Sequence, residues 1–173
     1  MRRTGDLIVS IHDLPRRAGE MRPWAHTVVA PDDLGVQMIG VPEGSPIDCD
    51  LTLESAGEGV WVAGTAVATL AGECVRCLRT LEERRPFDVH ELYYYPGRDA
   101  EEDALFVEHD QIDLEPALRA AIVLELPFAP LCRPDCAGLC PTCGADLNDD
   151  PGHAHDAAAD PRWAALDTLA GDA

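Results

Sequence analysis

Apolar and polar residues alternate most clearly between Pro46 and Ser55, where Ile47, Cys49, Leu51 and Leu53 are separated by Asp48, Asp50, Thr52 and Glu54. A period of two marks a strand with one face buried. Gly57-Glu58-Gly59 then supplies a turn, and Val60 to Leu70 alternates again. Val60, Val62, Gly64, Ala66 and Ala68 fall on one face, with Trp61, Ala63, Thr65, Val67 and Thr69 on the other. Arg79 to Tyr95 is a further extended run, closing on Leu92-Tyr93-Tyr94-Tyr95 before the Pro96-Gly97 break. Leu7 to Ile11 and Leu105 to Val107 read as shorter strands. The connections are short, and parallel pairing needs a crossover of about a dozen residues, so the pattern predicts an antiparallel meander.

The period then changes. Asp113 is suited to cap a helix, Leu114, Leu118, Ala121, Ile122 and Leu126 form a helical stripe, and Pro127 ends it. Asp99 to Asp103 is an acidic loop and Cys132 to Asn148 a region rich in Cys, Gly and Pro. Asp149 to Asp160 is polar, and Pro161 to Leu169 has the makings of a short helix. The expected fold is α+β: an antiparallel β-meander or barrel-like sheet, one main helix and a Cys-rich zinc-knuckle region. Residues 1–148 are expected to form a single domain and 149–173 an acidic polar tail with a short helix.

Length and overall composition fit such a domain. At 173 residues, 46% of them hydrophobic, the chain is long enough to enclose a core. Charge adds a constraint. The formal net charge is −19, and all 13 basic residues are Arg. That excludes a protein whose whole surface binds phosphate, because phosphate neutralisation dominates association with nucleic acid. It also disfavours an anionic membrane. The acidity is uneven: residues 1–22 carry five Arg and three acids, residues 75–98 five Arg and four acids, and residues 99–173 three Arg and 17 acids. The apolar run near the start, Leu7-Ile8-Val9-Ser10-Ile11, is too short for the core of an export signal. No stretch reaches the ~20 apolar residues of a membrane helix. A cytoplasmic chain with reduced thiols is expected.

Seven cysteines are present, an odd number, and six of them fall into two clusters. Cys74-Val75-Arg76-Cys77 lies at the junction of two predicted strands. The later group reads Cys132-x3-Cys136-x3-Cys140-x2-Cys143. Two-residue spacing lets both thiolates face one ion. In Cys140-Pro-Thr-Cys143-Gly144, Pro sets the turn and Gly permits a positive φ after the second sulfur. Sulfur-rich sites of this kind suit structural zinc, with an iron–sulfur cluster second. Two arrangements are open. The later four cysteines make a local site, or Cys74 and Cys77 pair across the fold with two of Cys132, Cys136, Cys140 and Cys143. The cross-fold version is preferred because it ties a hairpin tip to the chain after the helix; which later pair it uses stays open. Thioredoxin-like chemistry expects C-x2-C at a helix start in a βαβ unit, and no such setting occurs. Cys49, on the apolar face of a strand, reads as a core residue. His153-Ala154-His155-Asp156 sits in a polar tail and reads as solvated.

Glu73-Cys74-Val75-Arg76-Cys77-Leu78, together with Cys132-x3-Cys136-Ala137-Gly138-Leu139-Cys140-Pro141-Thr142-Cys143-Gly144-x-Asp146-Leu147-Asn148, resembles the bacterial YceD family. Asp13 to Arg22 is similar to actinobacterial members, and the likeness runs from about Leu7 to Asn148. It implies a role in accumulation of large-subunit ribosomal RNA, hence in ribosome assembly, and implies no enzymatic activity. Independently, no phosphate loop or nucleophile motif is visible, an all-Cys zinc site is normally closed, and no small-molecule substrate is expected. Contact with ribosomal RNA or its precursor would have to use local Arg. The candidates are Arg2, Arg3, Arg16, Arg17 and Arg22 in the N-terminal segment, and Arg76, Arg79, Arg84, Arg85 and Arg133 around the knuckles, with Trp24 available to stack on a base. The competing reading is an acidic adaptor that holds a basic ribosomal protein or assembly factor without touching RNA.

Overall fold

A computed structural model of the chain describes residues 5–98 and 101–155. A 3-10 turn, Gly5–Leu7, leads into β1 (Ile8–Ser10), followed by β2 (Met21–Val29), β3 (Gly35–Val36) and β4 (Ile39–Gly40). Three long strands come next: β5 (Pro46–Ser55), β6 (Gly59–Glu73) and β7 (Thr80–Tyr94). Then come β8 (Leu105–Phe106), β9 (Gln111–Asp113) and the helix α1 (Glu115–Glu125).

The alternating runs become the centre of the sheet. β5, β6 and β7 form an antiparallel meander, with β6 paired to β7 from Gly59↔Tyr94 to Glu73↔Thr80. Ile47, Cys49, Leu51, Leu53, Val60, Val62, Ala66 and Ala68 are buried, as a period of two requires. The sheet runs β2-β5-β6-β4-β3, with β7 on the other edge of β6 and β8 on β7. Among the described residues no ladder joins β2 to β3 or β8, so the sheet is open and the barrel-like alternative falls away. β1 and β9 form a separate antiparallel pair.

β2 and β8 depart most from the sequence reading, and β3, β4 and β9 are short strands that no alternation marked. β2 has no apolar alternation, yet it pairs with β5 along its whole length, from Met21↔Glu54 to Val29↔Pro46. It is an outer strand, so Val28 is its one fully buried residue and Pro23 is tolerated within it. β8 pairs with β7 in parallel, at Tyr93↔Leu105 and Tyr94↔Phe106, which departs from a pure meander. The ladder is only two residues long, so the intervening chain need not retrace a full strand.

The helix stripe is as expected: Leu114, Leu118, Ile122 and Leu126 are buried, with Ala121 against the core, while off-stripe Leu124 is 85% exposed. Each fully buried Leu or Ile contributes about 1.5–3 kcal/mol. The helix starts one residue later than the expected Asp113 cap, with Leu114 at the N-cap and no side-chain cap. Asp113, just before it, accepts the Glu115 N–H at 3.0 Å, and Arg119 ties the helix to the Asp32 and Asp33 carbonyls. α1 packs on β7, where Tyr93 is buried and donates its hydroxyl to the Asp113 carbonyl at 2.7 Å. This packing fixes where the chain leaves the helix. It returns past the far end of the β6–β7 hairpin, where the Val75 N–H donates to the Pro130 carbonyl at 3.0 Å. The short helix expected at 161–169 lies outside the described residues.

Candidate metal centre

The hairpin between β6 and β7 ends in the turn Cys74 to Arg79. Cys74 N–H donates to the Arg79 carbonyl and Leu78 N–H to the Cys74 carbonyl, both at 2.9 Å, with Leu78 at φ +56°. The same construction recurs 66 residues later in Cys140 to Ala145. Cys140 N–H donates to the Ala145 carbonyl and Gly144 N–H to the Cys140 carbonyl, both at 2.8 Å, with Gly144 at φ +76°. In both turns the residue after the second cysteine takes the left-handed conformation, which turns amides inward toward the first sulfur. Glycine meets that demand at Gly144 without strain.

Tertiary structure brings the hairpin knuckle to Cys132 and Cys136. The four sulfurs of Cys74, Cys77, Cys132 and Cys136 lie within 4.8 Å of one another. Cys74 and Cys136 are 3.8 Å apart and Cys77 and Cys132 are 3.6 Å apart. A tetrahedral ion with metal–sulfur bonds near 2.3 Å requires sulfurs about 3.8 Å apart, so this cage has the dimensions of a four-thiolate site. Cys74, Cys77 and Cys136 are buried, and Leu81, Leu131 and Leu139 pack around them. Such a closed shell suits a structural ion rather than one with an open coordination position.

Neighbouring groups hold the cage in shape. Arg76 donates to the Cys136 carbonyl at 2.8 Å, and Leu139 N–H donates to the Arg76 carbonyl at 3.1 Å. Gly138 lies against that carbonyl at φ +82°, where an added Cβ would sit 3.2 Å from the oxygen. Asn148 links the parts. Its amide nitrogen donates to Cys136 Sγ at 3.5 Å and to Asp146, and its oxygen accepts from Ala137 N–H and Arg133.

The thiols oppose one another in charge. Burial pushes Cys74 up, but the amides of Cys77, Cys132 and Arg76 and the Cys77 side chain outweigh it and bring Cys74 down to about 6. Cys132 is pushed up to about 12 by burial and by the sulfurs of Cys77, Cys136 and Cys74. Cys77 is raised as well: the Arg79 amide favours its thiolate, while burial and the sulfurs of Cys74 and Cys136 disfavour it. The first thiolate is favoured and each further one is resisted, a conflict that a bound cation relieves. The donor set therefore fits a metal ion.

Cys140 and Cys143 do not join that cage. Their sulfurs lie instead with the rings of His153 and His155, again with all four donor atoms within 4.8 Å. The histidines were set aside in the sequence as part of a polar tail. The sign available there was His-x-His, ten residues beyond a C-x2-C without a second sulfur pair of its own. Cys49 is buried, far up in pKa at about 12 through burial, and sits in the hydrophobic core as expected.

The candidate arginines are dispersed and mostly engaged. Arg16 pairs with Asp110 and covers the Tyr95 ring, Arg84 pairs with Asp48, and Arg85 pairs with Glu125 over the Phe87 ring. Arg79 reaches Asp146 and Asp149, and Arg133 reaches Asp135 and Asn148. Arg22 donates to the Ser10 carbonyl and Arg76 to that of Cys136. Among the described residues Arg17 is the one candidate with no side-chain partner; Arg2 and Arg3 lie outside them. Trp24 is half-buried against the core and contacts the His26 ring.

Fold and site together define a small open-sheet protein with cysteine knuckles whose clustered donor atoms have the spacing to hold a metal ion. The family model for "Large ribosomal RNA subunit accumulation protein YceD" matches residues 62–170, a span that contains every knuckle cysteine. The chain belongs to the YceD family. Uncharacterized proteins of Mycobacterium tuberculosis and Mycobacterium bovis are each 44% identical over 170 residues, covering 95% of this chain and 82% of theirs. A Mycobacterium leprae protein, also uncharacterized, is 41% identical over 172 residues, covering 96% and 79%. No solved structure matches the chain.

Proposed function

We propose that this protein is a non-enzymatic, cytoplasmic ribosome-assembly factor that promotes accumulation of large-subunit ribosomal RNA, with a structural zinc ion held by Cys74, Cys77, Cys132 and Cys136. The single observation that carries the reading is the family match over residues 62–170. Zinc is preferred to an iron–sulfur cluster because the cage has one-ion dimensions, with two sulfur pairs 3.6 and 3.8 Å apart and all four sulfurs within 4.8 Å. Its work is to clamp the β6–β7 tip to the chain after α1. Residues 1–148 serve as the functional domain in this reading, with the remainder an acidic extension.

The test is depletion of the protein followed by ribosome sedimentation. A selective loss of large-subunit particles and their RNA is the expected result; an unchanged profile would refute the assignment.

How the protein meets the assembling particle is a finer question, and one observation favours the adaptor reading. The chain carries −19, and seven of the eight candidate arginines at positions 16 to 133 already engage groups of the chain itself. A basic ribosomal protein is steered toward such a surface, whereas RNA is repelled by most of it. Changing Arg16, Arg17, Arg84 and Arg85 to Glu leaves a protein-mediated association intact under this reading. If the quadruple variant loses its association with precursor particles, and RNase releases the parent from them, contact is through RNA instead.

A further inference from the structure

We propose that Cys140, Cys143, His153 and His155 form a second metal site, for one divalent ion of the zinc class, chemically distinct from the four-cysteine cage and more readily exchanged.

Three separate observations converge on it. The first is geometric. Cys143 Sγ lies 3.1 Å from His153 Nε2 and 3.3 Å from His155 Nε2, and the two Nε2 atoms lie 2.9 Å apart. With the Cys140 sulfur, four donors face one point within 4.8 Å. Tetrahedral zinc with metal–nitrogen bonds near 2.0 Å and metal–sulfur bonds near 2.3 Å calls for donor separations of about 3.3–3.8 Å, so the donors need part by only a few tenths of an ångström from their hydrogen-bonded separations to admit the ion. Two imidazoles meeting edge to face beside a thiol turn toward that point the same Nε2 atoms a metal would take.

The second is local structure. The Cys140 turn repeats the Cys74 turn bond for bond, with the same pair of backbone hydrogen bonds and the same positive φ after the second cysteine. The Cys74 turn completes its donor set with Cys132 and Cys136, and the Cys140 turn completes its own with His153 and His155. The third is orientation. The Asp150 carboxylate lies 3.7 Å from His153 Nδ1, and His153 N–H donates to the Asp150 carbonyl. At that separation the carboxylate acts through its charge rather than a hydrogen bond, and it favours a proton on Nδ1, which leaves Nε2 for the ion.

The difference from the first site lies in exposure and donors. Cys143 and His155 are exposed, whereas three of the four sulfurs in the cage are buried. Chelators therefore reach this ion first. Its binding fastens residues 149–155 onto the Cys140 knuckle, so the folded unit extends past Asn148.

Full-length protein loaded with zinc and weighed by native mass spectrometry should carry two ions per chain. A chelator such as EDTA should remove one rapidly and the other slowly. His153→Ala/His155→Ala should carry one ion, released only in the slow phase, with the chain still folded by circular dichroism. Cys136→Ser should lose the slow ion and keep the fast one, so failure of the four-cysteine site and failure of this one give different patterns. Cobalt substitution adds a readout independent of folding: the ion missing from His155→Ala should be the one with the weaker sulfur-to-cobalt charge-transfer band. One ion per chain in the parent, or two retained in the double histidine variant, overturns the proposal.

Discussion

Asn148 offers the sharpest probe of the four-cysteine cage because it touches a ligand without being one. Its side chain donates to Cys136 Sγ at 3.5 Å and to Asp146, and accepts from Ala137 N–H and Arg133. Asn148→Ala removes all four links. Ala137 is exposed, so water replaces that partner and the cost to folding is modest, about 0.5–1.5 kcal/mol. The cost to metal affinity is larger, since loss of a group that orients a ligand typically weakens binding by about 10–100-fold, or roughly 1.4–2.8 kcal/mol. Asn148→Asp has the same shape but places an oxygen where the amide donor stood, facing both the Asp146 carboxylate and the Cys136 sulfur. Unit charges about 4 Å apart repel by about 1–4 kcal/mol between fully aqueous and partly screened conditions. The aspartate variant should therefore bind zinc at least about fivefold more weakly than the alanine variant. Competition against a chromophoric chelator, with each protein's fold checked by circular dichroism, measures both. Equal affinity in the parent and Asn148→Asp would show that this asparagine does not support the cage.

Other outcomes follow from the same geometry. Gly138→Ala forces a Cβ to 3.2 Å from the Arg76 carbonyl at φ +82° and should cost about 1–2 kcal/mol, read as a lower urea midpoint; an unchanged midpoint would contradict the strain argument. Tyr93→Phe strips the Asp113 carbonyl of its hydroxyl donor at a buried site and should destabilise by about 1–2 kcal/mol in the same assay, whereas a neutral effect would mean water serves that carbonyl. Asp48 is held below the ordinary carboxylate range by the Thr27 hydroxyl and Arg84, and Asp146 by the Asn148 amide groups and Arg79. Because the native pKa values lie lower, the unfolded chain binds protons first, and the stability these groups supply above about pH 4 is lost on further acidification. Urea midpoints from pH 7 to pH 3 should fall less steeply for Asp48→Asn than for the parent, and parallel curves would argue against the Asp48 contribution.

How legible each part was depends on how local its cause is. The strands from Pro46 to Tyr94 carry their own period of two and were placed to within a few residues, as was the helix whose stripe is Leu114, Leu118, Ile122 and Leu126. β2 was missed because it is an edge strand held by nine partners in β5 rather than by any alternation of its own. The arginines were legible as residues but not as surfaces, since Arg16 meets Asp110 and Arg85 meets Glu125 only through long-range folding.

The metal centre divides along the same line. The spacing alone marks Cys74 with Cys77, and Cys140 with Cys143, as pairs able to face one ion, and marks Gly144 as able to follow the second sulfur at positive φ. Those are properties of six-residue turns, set by backbone sterics and amide direction. Which donors lie together was decided by tertiary structure. The length of the β6–β7 hairpin and the seating of α1 on β7 carry Leu131 to Cys136 to the hairpin tip, and the turn after Asn148 brings His153 and His155 back to Cys143. Spacing along the chain holds no information about these distances, because a metal ion selects donors by position in space.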